Sequence, residues 1–209
     1  GYGADPETVL NRIRSLTDTI IRGNHDKAVS MGENLEWFNP AARDATYWTL
    51  NQLPSEAVDF LRELPKGPLL VNGFQICHGS PFDEDEYLIT SSDVQGIADK
   101  VDVGITFFGH THVQGGFRIL RGVVSVLPRP SMDSSTETIE LEDQAYYLLN
   151  PGSVGQPRDH DPRAAYSVYD SENRLCHMHR VPYDIQTTQK KILSAGLPDR
   201  LALRLTYGR

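Results

Sequence analysis

The 209-residue chain is 39% hydrophobic, enough to bury the core of one sizeable domain or two small ones. Its 28 acidic residues outnumber 20 Lys and Arg, for a net charge of -8. That balance argues against broad nucleic-acid or membrane-surface binding and leaves room for a local basic pocket that takes a phosphate. No apolar run approaches membrane-spanning length. Cys77 and Cys176 are too few for a disulfide scaffold and read as buried thiols of a cytoplasmic protein.

Gly1-Tyr2-Gly3-Ala4 reads as the end of a loop and not as a natural N-terminus. Asp5 then caps a helix that begins at Pro6, with Val9, Leu10, Ile13 and Leu16 on one face. Residues 19–22 make a short β-like run that stops at Gly23-Asn24-His25-Asp26. Asn39-Pro40 opens another helix, and residues 54–64 a third with Ala57, Phe60, Leu61 and Leu64 as its apolar stripe. Trp37, Phe38 and Trp48 read as core before they read as a pocket lining. Strands at 69–71 and 74–78 meet at Asn72-Gly73, a strong hairpin signal, and the second ends in His78-Gly79. Alternation turns Cys77 away from His78, which favours a structural cysteine. Asp83-Glu84-Asp85-Glu86 reads as solvated surface. Ser91 or Ser92 caps the next helix, with Val94, Ile97 and Val101 inward.

A short apolar strand at 105–108 then stops at Gly109 and presents His110-Thr111-His112. In an extended segment, residues two apart point the same way. Two imidazoles on one face, beside a glycine that admits close backbone, suit a metal site. Further on, strand pairs are expected at 116–120 with 123–127, 138–141 with 145–149, and 164–169 with 174–181. Asn150-Pro151-Gly152-Ser153 is a turn, and Asp184 caps a last helix. His177 and His179 alternate on a late strand and read as partly exposed strand residues, with no part in the motifs. Helices dominate the first half and strands the second, which points to α+β layers in one domain.

Asn24, His25, Asp26, His78, His110 and His112 thus come from three strand–loop junctions. Strands lying side by side would bring those junctions to one edge. The residue types bind or support borderline metals such as Zn, Fe, Mn or Ni, and their dispersal is unlike a zinc finger. Gly-Asn-His-Asp, His-Gly and Gly-His-Thr-His, in that order, resemble the later motifs of the calcineurin-like metallophosphoesterases. The small single-domain bacterial phosphodiesterase branch is the nearest match, and Asn150-Pro151-Gly152-Ser153-Val154-Gly155-Gln156-Pro157-Arg158 is similar to that branch too. The resemblance runs from residue 1 to about residue 169.

It implies an α+β fold, two packed β-sheets flanked by helices in a four-layer sandwich, with two divalent metal ions at the strand ends. Mn is favoured among Mn, Fe, Ni, Zn and Mg. Carried over residue by residue, Asn24, His78 and His110 match ligands of one metal site, and His112 a ligand of the other. His25 matches the histidine beside the scissile phosphate, acting as general acid, and Asp26 would orient it. The residue types suit this chemistry. Two metals roughly 3.5–4 Å apart can hold a hydroxide for in-line attack and neutralise the phosphate oxygens. His25 can protonate the leaving alkoxide, with Asp26 fixing its tautomer. Arg158 suits a bidentate hold on a phosphate oxygen, a surface salt bridge being the equal alternative. Asn150 and Ser153 read as turn caps.

The family's first two motifs, Asp-x-His and Gly-Asp, are absent. They would supply the rest of the first metal site and the aspartate that bridges both metals. The expectation is an upstream segment that carries them. Residues 1–209 then form a single metallophosphoesterase domain without its first strand, with a helical lid or interface segment at about 36–64. Within residues 1–209 alone, the first metal site is expected to be incomplete and His112 to lack partners. The leading function is a dimetal phosphoester hydrolase, a phosphodiesterase by family analogy, acting on a small-molecule phosphoester. The alternatives are a dinucleoside polyphosphate hydrolase or phosphomonoesterase and, in another class, a catalytically impaired binding or scaffold protein. The aromatic helical region is compatible with a homodimer.

Overall fold

The computed structural model describes residues 1–33 and 35–209. They group into two compact units, Gly1–Lys66 with Asp184–Tyr207, and Gly67–Tyr183 with Gly208–Arg209. The first unit is helical: α1 Pro6–Arg14, α2 Asn24–Met31, α3 Pro40–Gln52, α4 Ser55–Glu63, α6 Ile185–Ser194 and α7 Asp199–Leu203. Its core sets Ala41 and Ala45 of α3 against Ile192, Leu197, Leu201 and Leu205. The Asn-Pro start works as the sequence suggests, with Asn39 Oδ1 accepting the Ala42 N–H at 3.1 Å. Asp184 caps α6 the same way, accepting the Thr187 N–H at 3.0 Å.

Two expectations fail in this unit. Asp5 stands at the N-cap of α1 but makes no side-chain cap bond; its carboxylate pairs with Lys191 Nζ at 2.9 Å instead. Residues 19–22 join no sheet among the described residues. The Arg22 N–H donates to the Pro65 carbonyl at 2.9 Å, and a single backbone pair does not make a ladder.

The second unit carries both sheets. The larger contains β1 Leu69–Val71, β2 Phe74–Ile76, β3 Ile105–Phe107, β4 Gly115–Leu120, β5 Val123–Val126 and β7 Tyr146–Asn150, in the order β1-β2-β3-β7-β4-β5. The smaller contains β6 Thr136–Glu140, β8 Ala164–Asp170 and β9 Leu175–Val181, in the order β6-β9-β8. The expected pairing of 138–141 with 145–149 therefore does not form: β6 pairs with β9, and β7 inserts between β3 and β4. The reason is burial. Tyr147, Leu148 and Leu149 are buried in succession, the mark of a strand covered on both faces. Of β6, only Ile139 is buried.

Ile105, Tyr147 and Leu149 of the larger sheet meet Ile139, Cys176 and Met178 of the smaller. The other face of the larger sheet, with Phe117, Ile119 and Leu148, packs on Val94, Ile97, Ala98 and Val101. Val94 comes from α5 Ser91–Gln95 and Ala98 from the 3-10 turn that follows. The fold is α+β with two packed sheets, as expected. Thr90, not a serine, caps α5, in a reciprocal capping box with Asp93. Gly116 lets β4 close on β7, because a Cβ there would stand 2.2 Å from the Leu148 carbonyl oxygen. β2, β3 and β7 run parallel, so their C-terminal ends share one edge, where open sheets of this kind place ligands. Among the described residues no helix is long and apolar enough to cross a membrane.

Candidate active site

Backbone pairing extends past the strands at that edge. The Cys77 N–H reaches the Phe107 carbonyl at 2.9 Å, Phe108 reaches Leu149 at 2.9 Å, and Gly109 reaches His78 at 2.8 Å. Then the chain leaves the sheet. His110 and His112 both have φ of 60°, a left-handed conformation in which histidine is enriched among non-glycine residues. The extended geometry expected of this pair does not hold. The two rings go to different partners: His110 Nδ1 lies 3.0 Å from His78 Nε2, and His112 Nδ1 lies 2.7 Å from the Gln156 carbonyl oxygen. Gly109 is not needed for close approach, since a Cβ there would meet His78 O at an ordinary 3.7 Å. Gly79 is needed, because a Cβ there would stand 2.6 Å from the Asp83 carbonyl oxygen. The acidic run thus folds back on the His78-Gly79 turn and sets Tyr87 against His110, ring centroids 4.0 Å apart. Asp83 and Asp85 themselves are exposed, as expected.

Asn150, read from the sequence as a turn cap, and Gln156, given no role there, hold this loop. Asn150 is buried and does more than cap its turn. Its Nδ2 donates to the Gly109 carbonyl at 3.0 Å and to Thr111 Oγ1 at 2.9 Å, while its Oδ1 accepts the Gly152 N–H at 2.8 Å. Ser153 keeps the capping role, its Oγ accepting the Gln156 N–H at 2.9 Å. Gln156 holds His112 through its carbonyl and accepts from Arg158 Nε and Nη2 at 3.2 and 3.0 Å through Oε1. The Arg158 N–H in turn donates to the His112 carbonyl at 3.0 Å. Asparagine at the end of an apolar strand was a legible signal for Asn150; nothing in the sequence marks a main-chain carbonyl such as that of Gln156.

Burial governs the electrostatics. It pushes His112 down to about 3, helped by the positive charge of Arg158, and lowers His110 as well. Neutral imidazoles keep the lone pair that a cation needs. His110 Nδ1 and His78 Nε2 share one hydrogen bond at 3.0 Å, so two imidazole nitrogens that could serve a cation already face each other. His110 Nε2 is buried with no hydrogen-bond partner among the described residues. The Gln156 carbonyl only accepts, so His112 Nδ1–H donates to it and Nε2 keeps the lone pair, as in histidines that bind a metal through one nitrogen while the other donates to a carbonyl. Among the described residues, no group of three or more His, Cys, Asp or Glu side chains is placed to hold a metal ion.

In the helical unit, Asn24, His25 and Asp26 open α2 rather than close a strand. Asp26 Oδ2 accepts the Gly23 N–H at 2.7 Å, capping the helix, and burial raises its carboxyl. The His25 ring lies 4.3 Å from Tyr2 and 4.8 Å from Phe38, centroid to centroid. Trp48 packs against the core of this unit, as expected. Trp37 does not; it is 80% exposed in a 3-10 turn.

The family profile of the calcineurin-like phosphoesterase superfamily domain matches residues 3–174. The chain belongs to the calcineurin-like phosphoesterase superfamily. Among its relatives, the uncharacterised protein MJ0912 of Methanocaldococcus jannaschii is 32% identical over 226 residues, covering all of this chain and 83% of that protein. A metallophosphoesterase from Sphaerobacter thermophilus superposes with a TM-score of 0.84 at 33% identity, covering all of this chain and 85% of its own. The hypothetical protein PH1004 from Pyrococcus horikoshii shares the fold, with a TM-score of 0.75 at 19% identity over all of this chain and 82% of its own. As a calcineurin-like phosphoesterase the chain is a metal-dependent phosphoester hydrolase in general terms.

Proposed function

We propose that this calcineurin-like phosphoesterase is a cytoplasmic phosphodiesterase that uses two divalent metal ions, Mn favoured. The observation that carries the metal reading is the meeting of His78 and His110, nitrogen to nitrogen at 3.0 Å, just beyond the C-terminal ends of β2 and β3. When bound, the ions supply a nucleophile at neutral pH and neutralise the phosphate oxygens. In this reading His78 and His110 would hold one ion and His112 the other, and the family resemblance gives Asn24 a ligand role as well. The Gln156 carbonyl keeps the His112 ring in one tautomer, and Asn150 keeps the loop that carries both histidines in its left-handed turns. Arg158 takes a phosphoryl oxygen, for which a guanidinium is the best-matched side chain. His25 gives the leaving alkoxide its proton, and Asp26 orients it. The exposed aromatic Trp37 and Tyr47 belong to the segment at about 36–64 that serves as lid or homodimer surface.

The test is steady-state hydrolysis of bis-p-nitrophenyl phosphate and p-nitrophenyl phosphate by the full-length protein, with Mn²⁺ and then with chelator. The expected outcome is chelator-sensitive turnover, faster for the diester. A faster monoester would move the reading to a phosphomonoesterase, and no metal-dependent turnover of either would sink it.

A further inference from the structure

Gln156 is the residue on which the Arg158 and His112 contacts converge, Arg158 on its side chain and His112 on its carbonyl. It is 3% exposed. Its Oε1 accepts from Arg158 Nε and Nη2 at 3.2 and 3.0 Å. A guanidinium carries only donors, so chemistry decides which amide atom faces it; a flipped amide would set donor against donor. The Nε2 donor is therefore turned elsewhere, and it finds no hydrogen-bond partner among the described residues. A buried donor without a partner is destabilising, and such groups ask for an explanation. A methionine would fill the same space with no such cost.

We propose that Gln156 is a positioning residue for phosphate: it holds the Arg158 guanidinium for the phosphoryl oxygens while its carbonyl fixes His112. This rests on the phosphoester hydrolase reading. The surrounding contacts fit it. Pro157 follows Gln156 and restricts its backbone to extended conformations, which presets the carbonyl that meets His112 Nδ1 at 2.7 Å. The Arg158 N–H returns to the His112 carbonyl at 3.0 Å, so cation and imidazole are stitched to each other through one short segment. The next residue anchors that segment. Asp159 is buried, accepts the Gln114 N–H at 2.9 Å and pairs with the buried Arg180. The orphaned Nε2 is then the consequence of using Oε1 on Arg158.

The experiment compares wild type, Gln156→Met, Arg158→Met and the double variant in the full-length Mn²⁺-loaded protein. Three quantities are read: the thermal midpoint, inorganic-phosphate affinity by calorimetry, and the KM and kcat for bis-p-nitrophenyl phosphate. Gln156→Met is expected to keep or raise the midpoint. It should weaken phosphate and raise KM by about tenfold, with kcat within about threefold, since uniform binding is lost. In the Arg158→Met background the same change should cost less than about twofold, because coupled residues are not additive. Gln156→Asn, too short to reach Arg158, is the second variant should Gln156→Met fail to fold, and carries the same expected rise. A lowered midpoint with unchanged phosphate affinity would make Gln156 merely structural and overturn the proposal. So would a full-sized effect in the Arg158→Met background. If wild type shows no metal-dependent turnover, the hydrolase reading falls and the proposal with it. If wild type turns over and Gln156→Met matches it throughout, only the proposal falls.

Discussion

His110 and His112 follow β3, and His177 and His179 lie within β9, each pair two residues apart. On β9 the backbone is a paired strand, and both rings emerge from one face. His177 Nδ1 stands 2.9 Å from Thr138 Oγ1 and His179 Nδ1 stands 3.1 Å from Thr136 Oγ1, each across to β6. Cys176, Met178 and Arg180 fill the opposite face and are buried. After β3, two left-handed residues break the alternation, and the rings reach His78 and Gln156 separately. Spacing two apart is an argument about a shared face only while the chain stays extended. Where the chain leaves the sheet, the same spacing sends two rings to two partners, and the chemistry sits there.

The largest expected effect falls on the first pair. His110→Ala should lower kcat/KM for the diester by about a thousandfold, roughly 4 kcal/mol of transition-state stabilisation. Retention of more than a tenth of the wild-type value would remove His110 from the metal site. Asn150→Ala removes the amide that ties Gly109 and Thr111. Outer supports of metal ligands matter by about 10- to 100-fold in metal affinity, so Mn²⁺ titration by calorimetry should show a loss in that range. An unchanged affinity would mean that the left-handed turns hold without Asn150.

Local signals were legible where one residue type decides a conformation. Asn72-Gly73 makes the β1–β2 hairpin, Asn39 and Asp184 cap their helices, and His78 and His110 meet. What escaped is long-range or main-chain in origin. The position of β7 follows from burial on both faces, not from its neighbour in sequence. Residues 19–22 have a β-like composition, but no ladder forms around them among the described residues. Gln156 acts on His112 through a carbonyl that every residue possesses.

The other face of β9 gives an intermediate effect. Burial pushes the Cys176 thiol up to about 11 from an ordinary 9.0. Below pH 9.0 both folded and unfolded states keep the proton and the thiol adds no pH dependence. Between there and about 11, unfolding releases a proton, so stability falls as pH rises, by up to about 1.4 kcal/mol per pH unit. Urea midpoints from pH 8 to 11 should decline less steeply in Cys176→Ala than in wild type. Equal slopes would show that the thiol is less well sealed than its place between the sheets implies.

The smallest effects are expected at His177 and His179. Each makes a cross-strand contact on a half-exposed face, and such pairs contribute roughly 0.2–1 kcal/mol. The Tyr166 ring stacks on His179 at 4.9 Å and keeps much of that face covered when the imidazole is removed. His177→Ala and His179→Ala should each leave kcat/KM within about twofold, a difference of less than about 0.5 kcal/mol. Urea unfolding should show a loss inside the cross-strand range. A drop in activity comparable to that of His110→Ala would break the contrast at its root: it would mean that a histidine pair on a regular strand takes part in the reaction, and that departure from the sheet is not what separates the two.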